Sequence, residues 1–292
     1  MDNTSLNPVL SAIYSELVLT LYPILIKLAP TTLLTSTLAR FIVFPILALS
    51  IGPFKEFMDI WGNAESATYG FLHGLLNLVH VGTSYISFQE LPTGTAVSLF
   101  YTYPIMILIS RAIFANESLP SYTLIVFTLA LIGAYLVATS HYEESDTKEH
   151  KQKSIRGIVA AITAAVTETF IYFFVRERTS RTPFYTLNHL YPGGLLVLLV
   201  YSLFNKKQLD TRRSTWLPMI GFNALLGFTG YLLRFYSIPK LPTSLFAILS
   251  YIGIIAAYIW GILFIGEKPS LKGIAGGSMI ATAIAILRSK TS

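Results

Sequence analysis

Long apolar stretches alternate with short polar breaks along the whole chain. A helix needs about 20 apolar residues to cross a bilayer core that is about 30 Å thick. The uncharged runs 118–140 and 243–266 meet that length. The pattern therefore predicts ten transmembrane helices. Their predicted ranges are 8–28, 30–51, 67–88, 93–113, 119–140, 157–176, 183–204, 216–237, 243–265 and 270–288.

The chain also resembles itself when it is shifted by 150 positions. The stretch 91–117 then falls on 241–267 without a gap, and nine of the 27 aligned residues are identical. Each half carries five predicted spans, and an odd number turns the second half over relative to the first. Inverted repeats of this kind are typical of secondary transporters. We predict an all-α membrane protein built from two inverted five-helix repeats, 1–140 and 157–292, joined by a charged linker at 141–156.

Composition agrees with a membrane location. Charged residues make up 12% of the chain, hydrophobic residues make up 53%, and the mean hydropathy is +0.60, whereas soluble domains contain about 25% charged residues. The net charge is +6, but the basic residues form short clusters between apolar stretches, as loop anchors do. No nucleic-acid partner is expected. The expected surroundings are a lipid bilayer, and nothing reads as a removable signal peptide.

The residue types exclude several kinds of chemistry. The chain has no cysteine, which rules out disulfides, thiolate catalysis and cysteine zinc sites. His73 and His80 lie seven positions apart with no adjacent carboxylate, so no metal site is expected. There is no nucleophile with an adjacent base and no phosphate-binding glycine loop. We therefore expect no cofactor and no enzymatic activity.

Two motifs carry a resemblance to a known family. One is the opening LYPILIKLAPTTLLTSTLARF, and the other is a Leu-Pro-Thr helix that ends at Asn-Glu or Gly-Glu. Together they resemble the drug/metabolite transporter superfamily, in particular its EamA-like branch. In that family pattern the first helix ends in a lysine and the second helix carries an arginine, and Lys27 and Arg40 occupy these positions here. The second half departs from the pattern, because it has Arg176 and His189 at the same separation. The resemblance implies a ten-helix carrier with a central cavity lined by helices three, four, eight and nine.

Three charged side chains fall deep inside predicted helices, where each costs about 2.5–3.5 kcal/mol on insertion scales. Glu16 lies near the middle of the first helix, and Arg40 and Glu168 are similarly deep. In one interpretation, Glu16 or Glu168 neutralises Arg40 and stabilises the bundle. In the other, Glu16 or Glu168 gains and loses a proton during transport, because burial disfavours an ionised carboxyl group.

The third predicted helix carries a polar stripe. Its residues are spaced four, three and four apart, which places them on one helical face; they are His73, Asn77, His80 and Ser84. The shift of 150 positions carries them onto Asn223, Gly227, Gly230 and Arg234. We expect these two faces to line a common cavity. The alternative is that the polar side chains only bond neighbouring helices.

Three tyrosines lie well inside their helices and are expected at the same cavity, because a phenol can both stack and donate a hydrogen bond. Tyr101 and Tyr251 match across the repeat, and Tyr258 follows Tyr251 on the same face. The predicted substrate-binding residues are Glu16, Arg40, His73, Asn77, His80, Tyr101, Glu168, His189, Asn223, Arg234, Tyr251 and Tyr258.

The last predicted helix has a face of small residues, including Gly273, Gly276 and Gly277. Such a face lets two helix backbones approach closely. It is expected to pack against the fifth helix or against a neighbouring subunit in a homodimer.

The leading functional hypothesis is a secondary carrier that moves a small polar or amphipathic metabolite by alternating access. Cations and carboxylates at the predicted cavity suit an anionic or zwitterionic solute, and coupling to protons through Glu16 or Glu168 is left open. The alternatives are a membrane-embedded enzyme that uses His73 and His80 on a lipid, and a non-transporting adaptor or receptor.

Overall fold

The structure, a computed structural model, describes residues 6–114, 121–140, 148–178 and 180–291, and within these ranges it contains helices but no strand. The helices follow one another through short connections. In chain order they are α1 (Pro8–Leu28), α2 (Leu33–Ile51), α3 (Phe54–Trp61), α4 (Ala64–Glu90), α5 (Thr93–Phe114), α6 (Ser121–Ala138), α7 (Lys148–Arg176), α8 (Pro183–Phe204), α9 (Arg213–Lys240), α10 (Thr243–Ile265) and α11 (Leu271–Thr291).

Many of these helices suit a bilayer. Within the described part of the chain, seven are long and apolar enough to cross a membrane, namely α1, α2, α5, α7, α8, α9 and α10. The helices α6 and α11 contain shorter apolar stretches, Tyr122–Ala138 and Leu271–Ile286. Large apolar side chains cover the outside of the bundle, for example Ile125 and Tyr135, which are 69% and 67% exposed. Because water does not favour such a surface, the chain is a multi-pass integral membrane protein.

The predicted ranges agree with these helices to within a few residues, with two differences. The helix α7 begins at Lys148, so that 148–156, which was assigned to the linker, is helical. The rest of that linker, 141–147, lies outside the described residues. The short helix α3 was not predicted, because the prediction was based on membrane-length apolar runs and this segment of eight residues is amphipathic. It packs against α4 and α8, and its Ile60 is completely buried.

Several long helices are interrupted near their middles. The α-helical pattern breaks at Thr20 in α1, at Tyr101 in α5, at Tyr191 in α8 and at Tyr251 in α10. Pro23, Pro104 and Pro192 follow the first three breaks, and a proline cannot donate the hydrogen bond that would continue the preceding helix. In α9 a π-helical turn spans Asn223–Gly227. Interruptions of this kind inside a membrane bundle leave backbone groups available near its centre.

The helices pack in a pattern that repeats between the halves. Helix α1 packs against α9 and α10, and α7 packs against α4 and α5. The pairs α2–α8, α5–α10 and α6–α11 are also in contact. The shift of 150 positions relates α1 to α7, α2 to α8, α4 to α9, α5 to α10 and α6 to α11. Under this shift the contacts of α1 become those of α7, and each of the other three pairs becomes itself. The two halves are therefore interleaved around a common centre.

Gly276 of the last helix packs against α6, which corresponds to the fifth predicted helix. A Cβ atom placed on Gly276 would lie 2.5 Å from the carbonyl oxygen of Gly133, and one on Gly133 would lie 2.6 Å from that of Gly276. Only glycine permits two backbones to approach this closely. Gly277 faces open space, with nothing within 4 Å of a Cβ placed there.

Candidate functional site

The centre of the bundle contains a buried ion network that joins the two halves. Arg234 on α9 places Nη1 2.5 Å from Glu16 Oε1 on α1, and Nη2 2.6 Å from Glu168 Oε1 on α7. Its Nε also donates to Glu168 Oε1, at 3.1 Å. The three residues are 3%, 1% and 2% exposed. Two carboxylates thus share one guanidinium, which leaves this network with an excess of negative charge when both are ionised.

Two tyrosines from α5 complete the network. Tyr101 donates its hydroxyl hydrogen to Glu16 Oε2, and Tyr103 accepts a hydrogen bond of 2.8 Å from Arg234 Nη2. The Arg234 guanidinium also lies 5.3 Å from the centre of the Tyr103 ring. Both oxygens of Glu16 therefore accept a hydrogen bond, and four helices meet at one arginine.

His80 on α4 contacts the other carboxylate of this network. Its Nδ1 lies 3.2 Å from the Ala164 carbonyl oxygen and 3.3 Å from Thr167 Oγ1. The Thr167 hydroxyl donates to carbonyl groups of its own helix, so the geometry assigns a hydrogen to Nδ1. The opposite nitrogen, Nε2, lies 3.5 Å from Glu168 Oε2. That contact is favourable only when a proton resides on one of these two atoms.

Arg40 on α2 has a different environment, made of aromatic rings. Its Nε and Nη2 donate to the Tyr191 hydroxyl oxygen, at 3.1 and 2.8 Å. The guanidinium carbon lies 4.3 Å from the ring centre of Tyr231 and 4.9 Å from that of Tyr22. Among the described residues no carboxylate comes within 4.0 Å of Arg40, although the residue is only 2% exposed. Cation–π contacts offset part of the cost of burying this charge.

Arg40 and the ion network line the same cavity. Its volume is about 30 Å³, which is room for a few water molecules at most. The walls combine charged, aromatic and small polar side chains; they are Leu19, Thr20, Tyr22, Pro23, Arg40, His80, Ser84, Phe88, Val97, Phe100, Tyr101, Glu168, Tyr231 and Arg234. The cavity is therefore polar in character but too small, in this conformation, for a metabolite.

An ion pair joins three helices at the end of the bundle opposite the amino terminus. There Lys27 Nζ lies 3.0 Å from Glu267 Oε1 and 3.1 Å from Thr93 Oγ1. The same Glu267 oxygen accepts a hydrogen bond of 2.8 Å from the Thr93 backbone nitrogen. The contact joins the ends of α1 and α10 to the start of α5. At the amino-terminal end, Arg176 donates to the Ile238 carbonyl oxygen at 2.6 Å and so joins α7 to the end of α9.

The structure brings together half of the predicted site residues. Glu16 belongs to the ion network, and the other members line the cavity directly; they are Arg40, His80, Tyr101, Glu168 and Arg234. The predicted pairing of Arg40 with Glu16 or Glu168 is wrong, because both carboxylates bind Arg234 instead.

The other predicted site residues lie elsewhere. His73 and His189 face each other beside Phe174, with ring centres 5.1 Å apart. Asn77 donates to the Leu190 carbonyl oxygen where α8 is interrupted, at 2.9 Å. Asn223 accepts a hydrogen bond of 2.7 Å from the cavity-lining Tyr22. Asn77 and Asn223 thus bond neighbouring helices, which was the alternative interpretation of the stripe, whereas His73 and His189 make ring contacts.

Two of the three predicted tyrosines also lie outside the cavity. Tyr251 is completely buried and packs against Phe127 of α6, with ring centres 6.0 Å apart. Tyr258 accepts a hydrogen bond of 2.8 Å from the Ser270 backbone nitrogen and so supports the turn into α11. Only Tyr101 of this set lines the cavity.

Sequence reasoning missed the aromatic wall of the cavity. Tyr22, Phe100 and Tyr231 line it, and Tyr191 and Tyr103 bind its two arginines. One signal was present, since Tyr231 precedes Arg234 by three positions and so shares its helical face. In the described part of the chain, no group of three His, Asp or Glu side chains is placed to hold a metal ion.

Comparisons with known proteins agree with this architecture. The pseudopaline exporter CntI of Pseudomonas aeruginosa is 23% identical over 222 residues, which cover 75% of this chain and 74% of that protein. The uncharacterized transporter YxxF of Bacillus subtilis is 24% identical over 201 residues, 68% of this chain but only 63% of that protein, so the match spans less than two thirds of this relative. An uncharacterized transporter of Archaeoglobus fulgidus is 23% identical, with 73% of each chain covered.

A solved crystal structure has the same fold. It superimposes with a TM-score of 0.70 at 14% identity, covering 96% of this chain and 97% of the other. The curated relatives are named as transporters or exporters, which supports membrane transport of a solute. The sequence profile of the EamA-like transporter family matches the chain twice, over residues 6–139 and 155–289. Since these two matches cover most of its length, the chain belongs to the EamA-like transporter family.

Proposed function

We propose that this protein is a secondary carrier that moves a small polar or amphipathic metabolite by alternating access. The observation that carries the proposal is the buried network to which both halves contribute, with Glu16 from the first half and Glu168 and Arg234 from the second. Charged groups are retained inside a membrane where they serve a transported solute or ion. A polar centre between two related halves is where carriers of this kind bind their solutes.

The proposed carrier has ten membrane crossings, five in each half, and the second half is inverted relative to the first. The two consecutive family matches and the repeated pattern of helix neighbours support this arrangement. In such a carrier, one half takes the conformation of the other when the site changes sides. In the proposed cycle, the small volume of the cavity and the Lys27–Glu267 contact correspond to an occluded stage.

Proton coupling forms part of the proposal, with His80 and Glu168 as the pair that holds the proton. The support is the 3.5 Å contact between His80 Nε2 and Glu168 Oε2, which is favourable only when a proton resides on one of the two atoms. Glu16 is the weaker candidate, because Arg234 and Tyr101 already donate to its two oxygens. His80 and Glu168 both line the cavity, so a proton can leave this pair directly into the cavity.

The relative named as a pseudopaline exporter supports a metabolite, rather than an ion alone, as the solute. A thermal-shift screen against amino acids, nucleobases, nucleotide sugars and sugar phosphates identifies candidates, because a ligand stabilises the state that it binds. Reconstituted vesicles are then expected to show saturable uptake of the stabilising solute. An adaptor, a receptor or an enzyme would give no flux that depends on the protein.

Alternating access can be tested without knowing the solute, because the natural chain has no cysteine. Ser84 lines the cavity and is replaced by cysteine. The Ser84→Cys protein in oriented vesicles is treated with a membrane-impermeant maleimide from one side or the other. A carrier exposes the new thiol to both sides in turn, so either treatment alone labels most of the protein. Labelling from one side only would contradict alternating access.

A further inference from the structure

We infer that a groove on the outside of the bundle, between α1 and α9, binds one phospholipid with an anionic headgroup. An acyl chain of the lipid lies along the groove, and the phosphate binds Arg212 at the membrane end of the groove. This site is separate from the central cavity, and it depends neither on the solute nor on the proposed transport cycle.

The groove is large and mostly apolar. Its volume is about 580 Å³, against about 30 Å³ for the central cavity. Ile24 and Leu25 of α1 form its floor and are 5% and 9% exposed, whereas Leu28 and Phe264 form its rim and are 61% and 52% exposed. The groove therefore opens towards the lipid around the bundle. Inside a bilayer, an acyl chain fills such an apolar space more favourably than water does.

The polar residues of the groove lie at one end only. Arg212, Ser214 and Thr215 line it where α9 begins, and the other lining residues are apolar. From Arg212 to Phe222 the chain rises about 15 Å at about 1.5 Å per residue, which is about half of a hydrocarbon core about 30 Å thick. A polar end at the membrane surface and an apolar path to the midplane match one lipid molecule in one leaflet.

Positive charge is concentrated at the polar end. The segment 205–213 carries a single carboxylate, Asp210, and four exposed cations, which are Lys206, Lys207, Arg212 and Arg213. Arg212 donates from Nε and Nη2 to Asp210, and its Nη1 makes no hydrogen bond within the described residues. A guanidinium matches the geometry of phosphate oxygens. The charge at this end of the groove therefore complements an anionic headgroup.

Hydrogen bonds hold this charged segment against the groove. The Asp210 backbone nitrogen donates to Thr35 Oγ1 at 2.8 Å, and Thr32 Oγ1 donates to the Gln208 carbonyl oxygen at 2.5 Å. Trp216 Nε1 donates to the Asp210 carbonyl oxygen at 2.5 Å. These bonds join the segment to α2 and α9. The guanidinium is therefore presented at a fixed place beside the groove.

A second groove provides a contrast. It lies between α6, α10 and α11, has a volume of about 470 Å³, and has no charged side chain in its lining. It is therefore suited to an acyl chain but offers no cation to an anionic headgroup. We expect a preference for anionic lipid at the groove between α1 and α9, and not at this second groove.

The first measurement uses the wild-type protein, purified in detergent and stripped of lipid. Native mass spectrometry compares dioleoyl phosphatidylglycerol with dioleoyl phosphatidylcholine, which have the same chains but differ in headgroup charge. Phosphatidylglycerol is expected to bind one site per chain with a Kd at least about fivefold lower, because one cation near a membrane surface changes the affinity for anionic lipid by about that factor.

Equal Kd values for the two lipids would overturn the inference. A dimeric protein that binds no phosphatidylglycerol would also overturn it, and would indicate that a second copy of the chain covers the groove. The soluble headgroup glycerophosphoglycerol should not displace the bound lipid. Displacement would show that a free phosphate ester, and not a lipid, is the ligand.

A pair of variants tests the role of Arg212. Arg212→Gln and Asp210→Asn both break the ion pair between these residues, but only the first removes the cation. Arg212→Gln is expected to lose about fivefold in affinity for phosphatidylglycerol, with its affinity for phosphatidylcholine unchanged. Asp210→Asn should keep the wild-type preference. Loss of the preference in both variants, or in neither, would contradict the assignment of the phosphate to Arg212.

A second pair of variants tests the groove itself. Leu28→Trp enlarges a rim residue and fills part of the groove, so it is expected to weaken phosphatidylglycerol binding several-fold. Leu203→Trp on α8 is the matched control, because Leu203 is 65% exposed, similar to Leu28, and lies outside the groove lining. Unchanged binding in Leu28→Trp would mean that the acyl chain does not occupy this groove, and would overturn the inference.

Discussion

Arg234 and Glu16 are 218 residues apart in the sequence, yet Arg234 Nη1 lies 2.5 Å from Glu16 Oε1 at the centre of the bundle. The pair joins a helix of the first half to a helix of the second, and Glu168 shares the same guanidinium. In a membrane interior such a network is stable only while its members stay together, because each isolated charge carries a large desolvation cost.

Removing the shared cation is therefore expected to destabilise the protein strongly. Arg234→Met leaves two carboxylates without their guanidinium, and breaking a buried ion pair costs about 3–5 kcal/mol. The melting temperature of the purified protein in detergent measures the effect. The exposed Arg181→Met serves as the control and should change stability little. A melting temperature of Arg234→Met within the scatter of the control would show that the network contributes nothing.

The His80–Glu168 contact predicts which variants separate proton coupling from solute movement. His80→Gln and Glu168→Gln are expected to lose accumulation driven by a pH gradient but to keep exchange of labelled for unlabelled solute, because exchange needs no net proton transfer. Glu16→Gln is expected to keep at least part of the accumulation. Vesicle uptake with and without the gradient checks this. Undiminished accumulation in both His80→Gln and Glu168→Gln would assign the coupling to another group.

The contact between Lys27 and Glu267 is expected to close the end of the bundle where it lies. Glu267→Gln weakens this contact, so Ser84→Cys in the same chain should react several-fold faster with an impermeant maleimide from that side and slower from the other. Exchanging the two charges, Lys27→Glu with Glu267→Lys, should restore the original rates. Labelling rates that ignore both changes would mean that this ion pair has no part in closing the cavity.

The glycine contact between α6 and α11 predicts a sharp difference between neighbouring positions. Gly276→Leu forces a side chain against the Gly133 carbonyl and is expected to lower the melting temperature by several degrees or to prevent folding. Gly277→Leu, which faces open space, should be tolerated. Expression and thermal unfolding of the two variants measure the contrast. Similar behaviour of both would indicate that the close approach is not needed.

A surface contact provides a prediction about pH. The hydrogen bonds from Arg212 hold the pKa of Asp210 well below its usual range, and Asp210 also accepts from Thr215. A lowered pKa in the folded state stabilises the protein above the unfolded pKa of about 4, and this contribution is lost as the pH falls below it. Wild type should therefore melt at a higher temperature than Asp210→Asn at pH 7, with the difference shrinking below about pH 4. A constant difference would contradict this.

Much of the fold could be predicted, because membrane helices can be recognised in a sequence as long apolar runs. Long apolar runs and the shift of 150 positions were sufficient to place the long helices to within a few residues, except for the start of α7, but they did not predict the short helix α3. The buried charges at Glu16, Arg40 and Glu168 could also be recognised, because such residues are rare inside apolar stretches. Their partners could not, since the choice between Arg40 and Arg234 depends on how each helix is rotated.

Axial position explains several of the misplaced site residues. His73 shares a helical face with His80 but lies seven residues away, which is about 10 Å along a helix, so it meets His189 instead of the cavity. Tyr258 stands seven residues beyond Tyr251 and reaches the turn before α11. Tyr251 lies at the break of α10, and its ring packs against Phe127. Residues that share a helical face point in the same direction, but their spacing in the sequence places them at different depths along the helix axis.

The touching main chains of Gly133 and Gly276 have a mechanical consequence. Because no side chain lies between these two backbones, none can change rotamer to let the helices slide. We therefore expect α6 and α11 to move as one rigid unit in any conformational change. Bending is then expected in the helices whose regular hydrogen bonding is interrupted halfway along, α1, α5, α8 and α10, while the contact between α6 and α11 keeps its spacing. Of these four interrupted helices, α1 and α5 line the cavity.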